Sequence, residues 1–236
     1  MKAPTEASCV LSDINIMALV SGSGTNLQAL LDAEKNGAFK GDSAAGAITL
    51  VVSDRPAAYA LERAKTAGVS ALVAEPNKAI PKEARRQELS DRILHLAETH
   101  QISLIVLAGF LSILTGEIIT RYSGRIINLH PSLLPKFGGD GMYGERVHRA
   151  VLDAGETQSG CTVHLVDAGT DTGPILLQRI VPVLQGDTPE TLAHRIHSEE
   201  HIAIVEAVKI MVEQGCSKMS DFGTRSTITR TGRRIT

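Results

Sequence analysis

The chain has 236 residues, 43% of them hydrophobic, and a formal net charge of −2. That length suits one large α/β domain with a real core, or two smaller lobes, and near-neutral charge gives no electrostatic case for a nucleic-acid groove. The three cysteines, Cys9, Cys161 and Cys216, are far apart and form no CxxC pair, so neither a disulfide framework nor a thiolate zinc site is suggested and a reducing cytoplasm fits best.

The elements alternate strand and helix from the start. Met1–Asp13 is a polar extension without the apolar core of a secretory signal. Ile14–Val20 reads as the first strand, Ser21–Asn26 as a glycine-rich turn, and Leu27, Leu30 and Leu31 as the inner face of a helix. Ile48–Ser53 is a second strand, Ala57–Ala67 its helix, and Val69–Ala74 a short strand. Lys82–Thr99 is an amphipathic helix with Leu89, Ile93 and Leu96 inward. Leu104–Ala108 is a buried strand, Ile113–Tyr122 a helix and Arg125–Leu129 the next strand. The longest apolar stretch, Ile102 to Leu114, is too short to span a bilayer. Arg146–Ala154 is helical, and Cys161–Val166 and Ile175–Val183 are further strands. Asp187, three residues before Glu190, with Pro189 in the first turn, reads as a capping box opening the last helix. The tail after Gly215 is basic, with Thr227–Thr236 a weak hairpin around Gly232. The alternation predicts a Rossmann-like α/β fold. Its sheet is mainly parallel, twisted and flanked by helices, with residues 14–215 as one domain and residues 216–236 as a tail.

The stretch Ile126–Pro135 is the most informative. An apolar run delivers Asn128 and His130 two residues apart, so both side chains share one strand face. Pro131 then ends the strand. The ending is a strand mouth, where open α/β sheets hold ligands. A second strand, Val163–Val166, runs into the loop Asp167–Pro174, which offers Asp167 and Asp171. A carboxylate beside an imidazole fixes its tautomer and favours its cation. An amide with an imidazolium supplies two donors for an oxyanion. Ser132 has no nucleophile-elbow setting, so these parts suit direct transfer of an acyl-level carbon. The plainer readings are a turn-capping Asn128, a His130 bonded to a backbone carbonyl, a core or supporting His164, and an Asp167 that closes an Asx-turn.

The turn Ser21–Asn26 frees backbone N–H groups at a helix N-terminus, as an anion site needs. Leu27 stands where a dinucleotide fingerprint requires a small residue, leaving a mononucleotide-like phosphate site or a plain tight turn. His194, His197 and His201 lie near one helix face. No HExxH is present, so this face reads as a ligand edge or a solvated face, with no metal expected.

Together these residues resemble the folate-dependent phosphoribosylglycinamide formyltransferases (GAR transformylases) of the formyltransferase superfamily, from about Ile14 to Val212. The likeness rests on Ser21–Leu27, Leu107–Phe110, Asn128–Pro135, Gly141–Gly144, and Val163–His164 leading to Asp171–Pro174. The resemblance implies Asn128, His130 and Asp171 as catalytic residues, with Asp171 raising the histidine's pKa. It implies Gly24, Thr25, Asn26, His197, Ser198, Glu199 and Glu200 around the ribonucleotide. It implies Lys82, Leu111, Ser112, Ile113, Leu114, Asn128, Asp167, Ala168, Gly169, Thr170 and Asp171 around the folate. Ser112 and Lys82 stand where arginines are frequent, and Gly138 where proline is frequent. The implied co-substrate is 10-formyltetrahydrofolate, with no tightly bound cofactor. The implied partners are small molecules, with neither nucleic acid nor membrane, for a cytoplasmic monomer or homodimer. A formyltetrahydrofolate hydrolase shares the trio but carries an N-terminal regulatory domain, whereas about a dozen residues precede the first strand here. A methionyl-tRNA formyltransferase would need a C-terminal nucleic-acid module. A silent nucleotide-binding module would leave the trio without a purpose.

Overall fold

A computed structural model describes residues 12–41, 44–215 and 228–231. The strands are β1 (Ser12–Val20), β2 (Ala44–Ser53), β3 (Ser70–Val73), β4 (Leu104–Leu107), β5 (Ile126–His130), β6 (Gln158–Leu165), β7 (Ile175–Pro182) and β8 (Ile228–Thr231). The helices are α1 (Thr25–Lys35), α2 (Ala60–Thr66), α3 (Lys82–Thr99), α4 (Glu117–Arg121), α5 (Glu145–Asp153) and α6 (Pro189–Glu213).

The sheet runs β3-β2-β1-β4-β5-β6-β7-β8. Strands β1 to β5 pair in parallel. β6 is antiparallel to both β5 and β7, and β8 joins β7 in parallel. Strand order reverses between β1 and β4, which opens a crevice at their carboxyl ends.

Strict alternation along β1 builds a core on each face of the sheet. Ile16, Ala18 and Val20 join α1 and α6 residues such as Leu30, Ile204 and Val208 on one side. Met17 and Leu19 join Ile93 and Ala97 of α3 and Ile118 of α4 on the other. Helices on both faces keep the parallel strands dry, which is why they read as near-continuous apolar runs.

Three expectations change. The helix expected over Ile113–Tyr122 is α4, shortened because Gly116 sits at φ 74° and Ser90 Oγ accepts from the Thr115 N–H. The capping box at α6 is formed by Thr188 and Thr191. Asp187 instead accepts from the Leu184 N–H, Thr191 Oγ and the Arg195 guanidinium. Of the expected tail hairpin, Ile228–Thr231 forms a single strand parallel to β7, and the rest lies outside the described residues. Among the described residues no helix is long and apolar enough to cross a membrane.

Candidate active site

The crevice is a cleft of about 780 Å³. Most of its wall comes from the loop after β4, the loop after β5, the loop between β6 and β7, and the first turns of α3. The turn after β1 is bound to the loop after β4. The Ser21 N–H donates to the Gly109 carbonyl at 3.0 Å, and the Leu111 N–H donates to Ser21 Oγ at 2.8 Å.

β5 presents Asn128 and His130 on one face, and both line the cleft. The antiparallel register pairs Asn128 with His164 of β6, which brings a second imidazole to the same wall. Asp171 enters from the loop between β6 and β7. Two residues further on, a Cβ at Gly173 would stand 1.9 Å from the Leu165 carbonyl oxygen, so only glycine lets this loop turn so close to the strand. Asp171 Oδ2 accepts from the Gly139 N–H at 3.0 Å and lies 3.4 Å from His130 Nδ1. Asp171 Oδ1 lies 3.4 Å from Asn128 Nδ2 and 3.5 Å from His164 Nε2.

The hydrogen-bond network assigns the protons. His164 Nδ1 faces the Leu165 carbonyl at 2.8 Å, so Nδ1 carries hydrogen and Nε2 accepts from Asn128 Nδ2 at 3.0 Å. His130 Nε2 donates to the Phe137 carbonyl at 2.9 Å, leaving Nδ1 toward Asp171. Both residues that address the His130 ring have left-handed backbones, Phe137 at φ 56° and Asp171 at φ 58°. Such conformations are costly for residues other than glycine and cluster where geometry is functionally constrained.

His130 is only 4% exposed. Burial pushes its pKa down, and Asp171 and the Phe137 carbonyl pull it back only in part. This corrects the expectation of a histidine held cationic: Asp171 acts in the expected direction, but desolvation is larger. The net shift is downward, below the ordinary histidine value, with Nδ1 on the side of the carboxylate. For Asp171, burial alone would raise the pKa. The two nearby imidazoles and the Gly139 N–H together outweigh it and hold the carboxyl below its usual range.

Gly24, Thr25 and His197 are not part of the cleft lining but adjoin its residues Asn26 and Glu200; Gly24 precedes α1 at φ 73° and offers no side-chain cap to the helix. A Cβ there would meet Ala60 Cβ at 2.6 Å. Asn26 is buried, lines the cleft, and leaves Oδ1 without a partner. A short hydrogen-bonded chain stands beside it. Thr25 Oγ1 is 2.7 Å from His197 Nε2, and His197 Nδ1 is 2.7 Å from Glu200 Oε2. The Glu200 hydrogen bond raises the His197 pKa. Glu200 also lines the cleft and adds its charge to the surroundings of His130.

The other expected residues divide. Lys82, Leu111, Ser112, Ile113, Leu114, Gly169 and Thr170 line the cleft. Asp167 instead closes a turn, accepting from the Gly169 N–H and Thr172 Oγ1, and Ala168 lies beside it off the cleft wall. Glu199 turns to β7 and pairs with Arg179, and Ser198 is exposed, its hydroxyl toward the His194 carbonyl. These four are not gathered into the site. His164, the Phe137 carbonyl and Arg85 are present in it without having been singled out for it. Among the described residues no group of three or more His, Cys, Asp or Glu is placed to hold a metal.

Residues 14–208 match the family model described as formyl transferase. The chain belongs to the formyl transferase family. It is 36% identical over 208 residues to phosphoribosylglycinamide formyltransferase of Escherichia coli (strain K12), covering 88% of this chain and 91% of that protein. It is 41% identical over 209 residues to the trifunctional purine biosynthetic protein adenosine-3 of Drosophila pseudoobscura pseudoobscura, covering 87% of this chain but only 14% of that protein. Among solved structures, glycinamide ribonucleotide transformylase 1 from Symbiobacterium toebii superposes with a TM-score of 0.76 at 43% identity, covering 85% of this chain and 88% of that one. The fold and most of the domain's length are thus shared with this solved transformylase and with the Escherichia coli enzyme's sequence, whereas the trifunctional relative is far longer.

Proposed function

We propose that this formyl transferase moves the formyl group of 10-formyltetrahydrofolate to the amine of 5'-phosphoribosylglycinamide, in de novo purine biosynthesis. The products are the N-formyl ribonucleotide and tetrahydrofolate. The names carried by its relatives support the acceptor. The observation that carries the chemistry is the convergence of Asn128, His130 and Asp171 on one cleft wall, with an anion-ready helix terminus at the other end.

The ribonucleotide phosphate sits at the N-terminus of α1, on the backbone of Gly24, Thr25 and Asn26, with the raised-pKa His197 beside it. The folate lies along Leu111–Leu114 and the loop carrying Gly169–Asp171. The amine lone pair attacks the formyl carbon, and the carbonyl π pair moves onto oxygen. As the amine becomes positive it loses a proton, directly or through a water, to His130 Nδ1. Asp171 stabilises the resulting imidazolium. The Nδ1–H and Asn128 Nδ2–H then address the new oxyanion, each giving up its long contact to Asp171. Collapse breaks the bond from carbon to the folate nitrogen, and His130 returns the proton to that nitrogen.

The test is to follow loss of the formyl group from 10-formyltetrahydrofolate with and without 5'-phosphoribosylglycinamide. Loss that requires the amine and yields the formylated ribonucleotide is expected. Loss at the same rate without the amine would identify a hydrolase, and no loss in either case a binding module.

A further inference from the structure

The glycine-rich turn before α1 leans on α2. The Ala60 N–H donates to the Gly22 carbonyl at 3.1 Å, and Arg63 Nε donates to the Ser23 carbonyl at 2.8 Å. Arg63 is itself held on both sides of that bond. Its Nη1 donates to Gln28 Oε1 on α1 at 3.0 Å, and its guanidinium carbon lies 5.0 Å from the centre of the Tyr59 ring. Gln28 in turn donates to Asp32 Oδ1 at 3.0 Å, so a neutral amide stands between Arg63 and that carboxylate. The packing is equally close: the Cβ that Gly24 lacks would stand 2.6 Å from Ala60 Cβ and 3.4 Å from Arg63 Cδ.

These contacts decide where the donors of the turn point. In a planar trans peptide the C=O of one residue and the N–H of the next face opposite ways. With the Gly22 and Ser23 carbonyls held toward α2, the N–H groups of Ser23 and Gly24 face away from it. No hydrogen bond among the described residues uses either N–H. The buried Asn26 amide beside them also has an oxygen without a partner. A cation at the carbonyl end of a peptide polarises it and strengthens its N–H as a donor.

We infer that Arg63 is a positioning residue for the ribonucleotide phosphate. It meets the turn from the side opposite the anion, locks the Ser23–Gly24 peptide by its carbonyl, and so aims the Gly24 N–H at the phosphate. Tyr59 and Gln28 hold the guanidinium in place for that bond. The inference rests on the reading of this turn as the phosphate site.

The experiment compares two acceptors, 5'-phosphoribosylglycinamide and its 5'-dephosphorylated form, with the formyl donor saturating. Arg63→Met keeps a stem of similar length but loses the charge and the Ser23 bond. It is expected to lower kcat/KM about tenfold for the phosphorylated acceptor, through KM at little-changed kcat, as loss of a charge-assisted bond does. For the dephosphorylated acceptor the change should be less than about twofold. Arg63→Lys, which keeps the charge and a donor, should recover part of the loss. Gln28→Leu, which removes only the Nη1 anchor, should raise the ribonucleotide KM about threefold. Equal losses on both acceptors would make Arg63 a general support of the fold and overturn the inference. So would an unchanged ribonucleotide KM in Arg63→Met of confirmed fold, or a wild type that uses both acceptors equally well. If the wild type transfers no formyl group, the proposed activity fails separately. Calorimetric titration with ribose 5-phosphate then still reports on the turn. The wild type is expected to bind it about tenfold more tightly than Arg63→Met does, and equal affinities, or no binding by the wild type, would overturn the role of Arg63.

Discussion

The two ends of the cleft are built to different tolerances. At the helix end, Thr25, His197 and Glu200 are joined by contacts of 2.7 Å. At the β5 end, Asp171 meets His130 and Asn128 at 3.4 Å each. Short charge-assisted bonds hold a fixed geometry, whereas contacts near 3.4 Å are weak and yield easily. The helix end thus suits a phosphate whose charge is the same before and after reaction. The β5 end suits an oxyanion that exists only part-way through it, because the contacts Asn128 and His130 make to Asp171 are long enough to be given up. Binding energy realised only in the transition state is what raises turnover.

Substitutions at each end separate these roles. His130→Ala should lower kcat roughly 100-fold, about 3 kcal/mol, with KM for the ribonucleotide little changed; steady-state kinetics on protein of confirmed fold checks this. Gly24→Val should damage the helix end, since its Cβ would press on Ala60 and its backbone would be strained. A stability loss of about 2 kcal/mol, read by thermal unfolding, should accompany a raised ribonucleotide KM. His197→Gln keeps a polar side chain but removes the charge. It should raise that KM about fivefold, near 1 kcal/mol, at unchanged kcat.

The pH dependence of the two ends runs in opposite senses. The His197 charge is present below its raised pKa and is lost as pH climbs through it. Ribonucleotide KM should therefore rise with pH in the wild type and lose that rise in His197→Gln. His130 must be neutral to accept a proton, and burial places its pKa below the ordinary histidine value of about 6.5. The acid limb of kcat should lie below that pH. Asp171→Asn removes a charge that favours the cation, so the limb should move lower still, by less than about one unit, while kcat falls. An upward shift would contradict the assignment.

The legible parts of this protein were those encoded by local spacing. Asn128 and His130 are two residues apart on a strand that proline ends, so their shared face followed from the pleat. The glycine turn at Ser21–Gly24 followed from its place between a strand and a helix. His164 was less legible, because its meeting with Asn128 depends on the antiparallel register of β5 and β6, a long-range choice no local pattern carries. Arg85 reads in sequence as one more charge on α3; only the structure shows that it lines the cleft with its Nε buried and without an acceptor. The net sign of the His130 shift could not be read either, since desolvation depends on how the loops after β5 and β6 close over the ring. Ser198 and Glu199 sit in the right stretch of α6 but point away by helical phase, where Arg179 of β7 claims Glu199.

The central claim is that the imidazole of His130 and the amide of Asn128 act on the formyl group itself. A crystal structure with the ribonucleotide and a non-transferable 10-formyl folate analogue tests it most directly. The account predicts the formyl oxygen about 3 Å from both His130 Nδ1 and Asn128 Nδ2, with Asp171 still beside the ring. A formyl group bound elsewhere in the cleft, with both side chains keeping their contacts to Asp171, would contradict it.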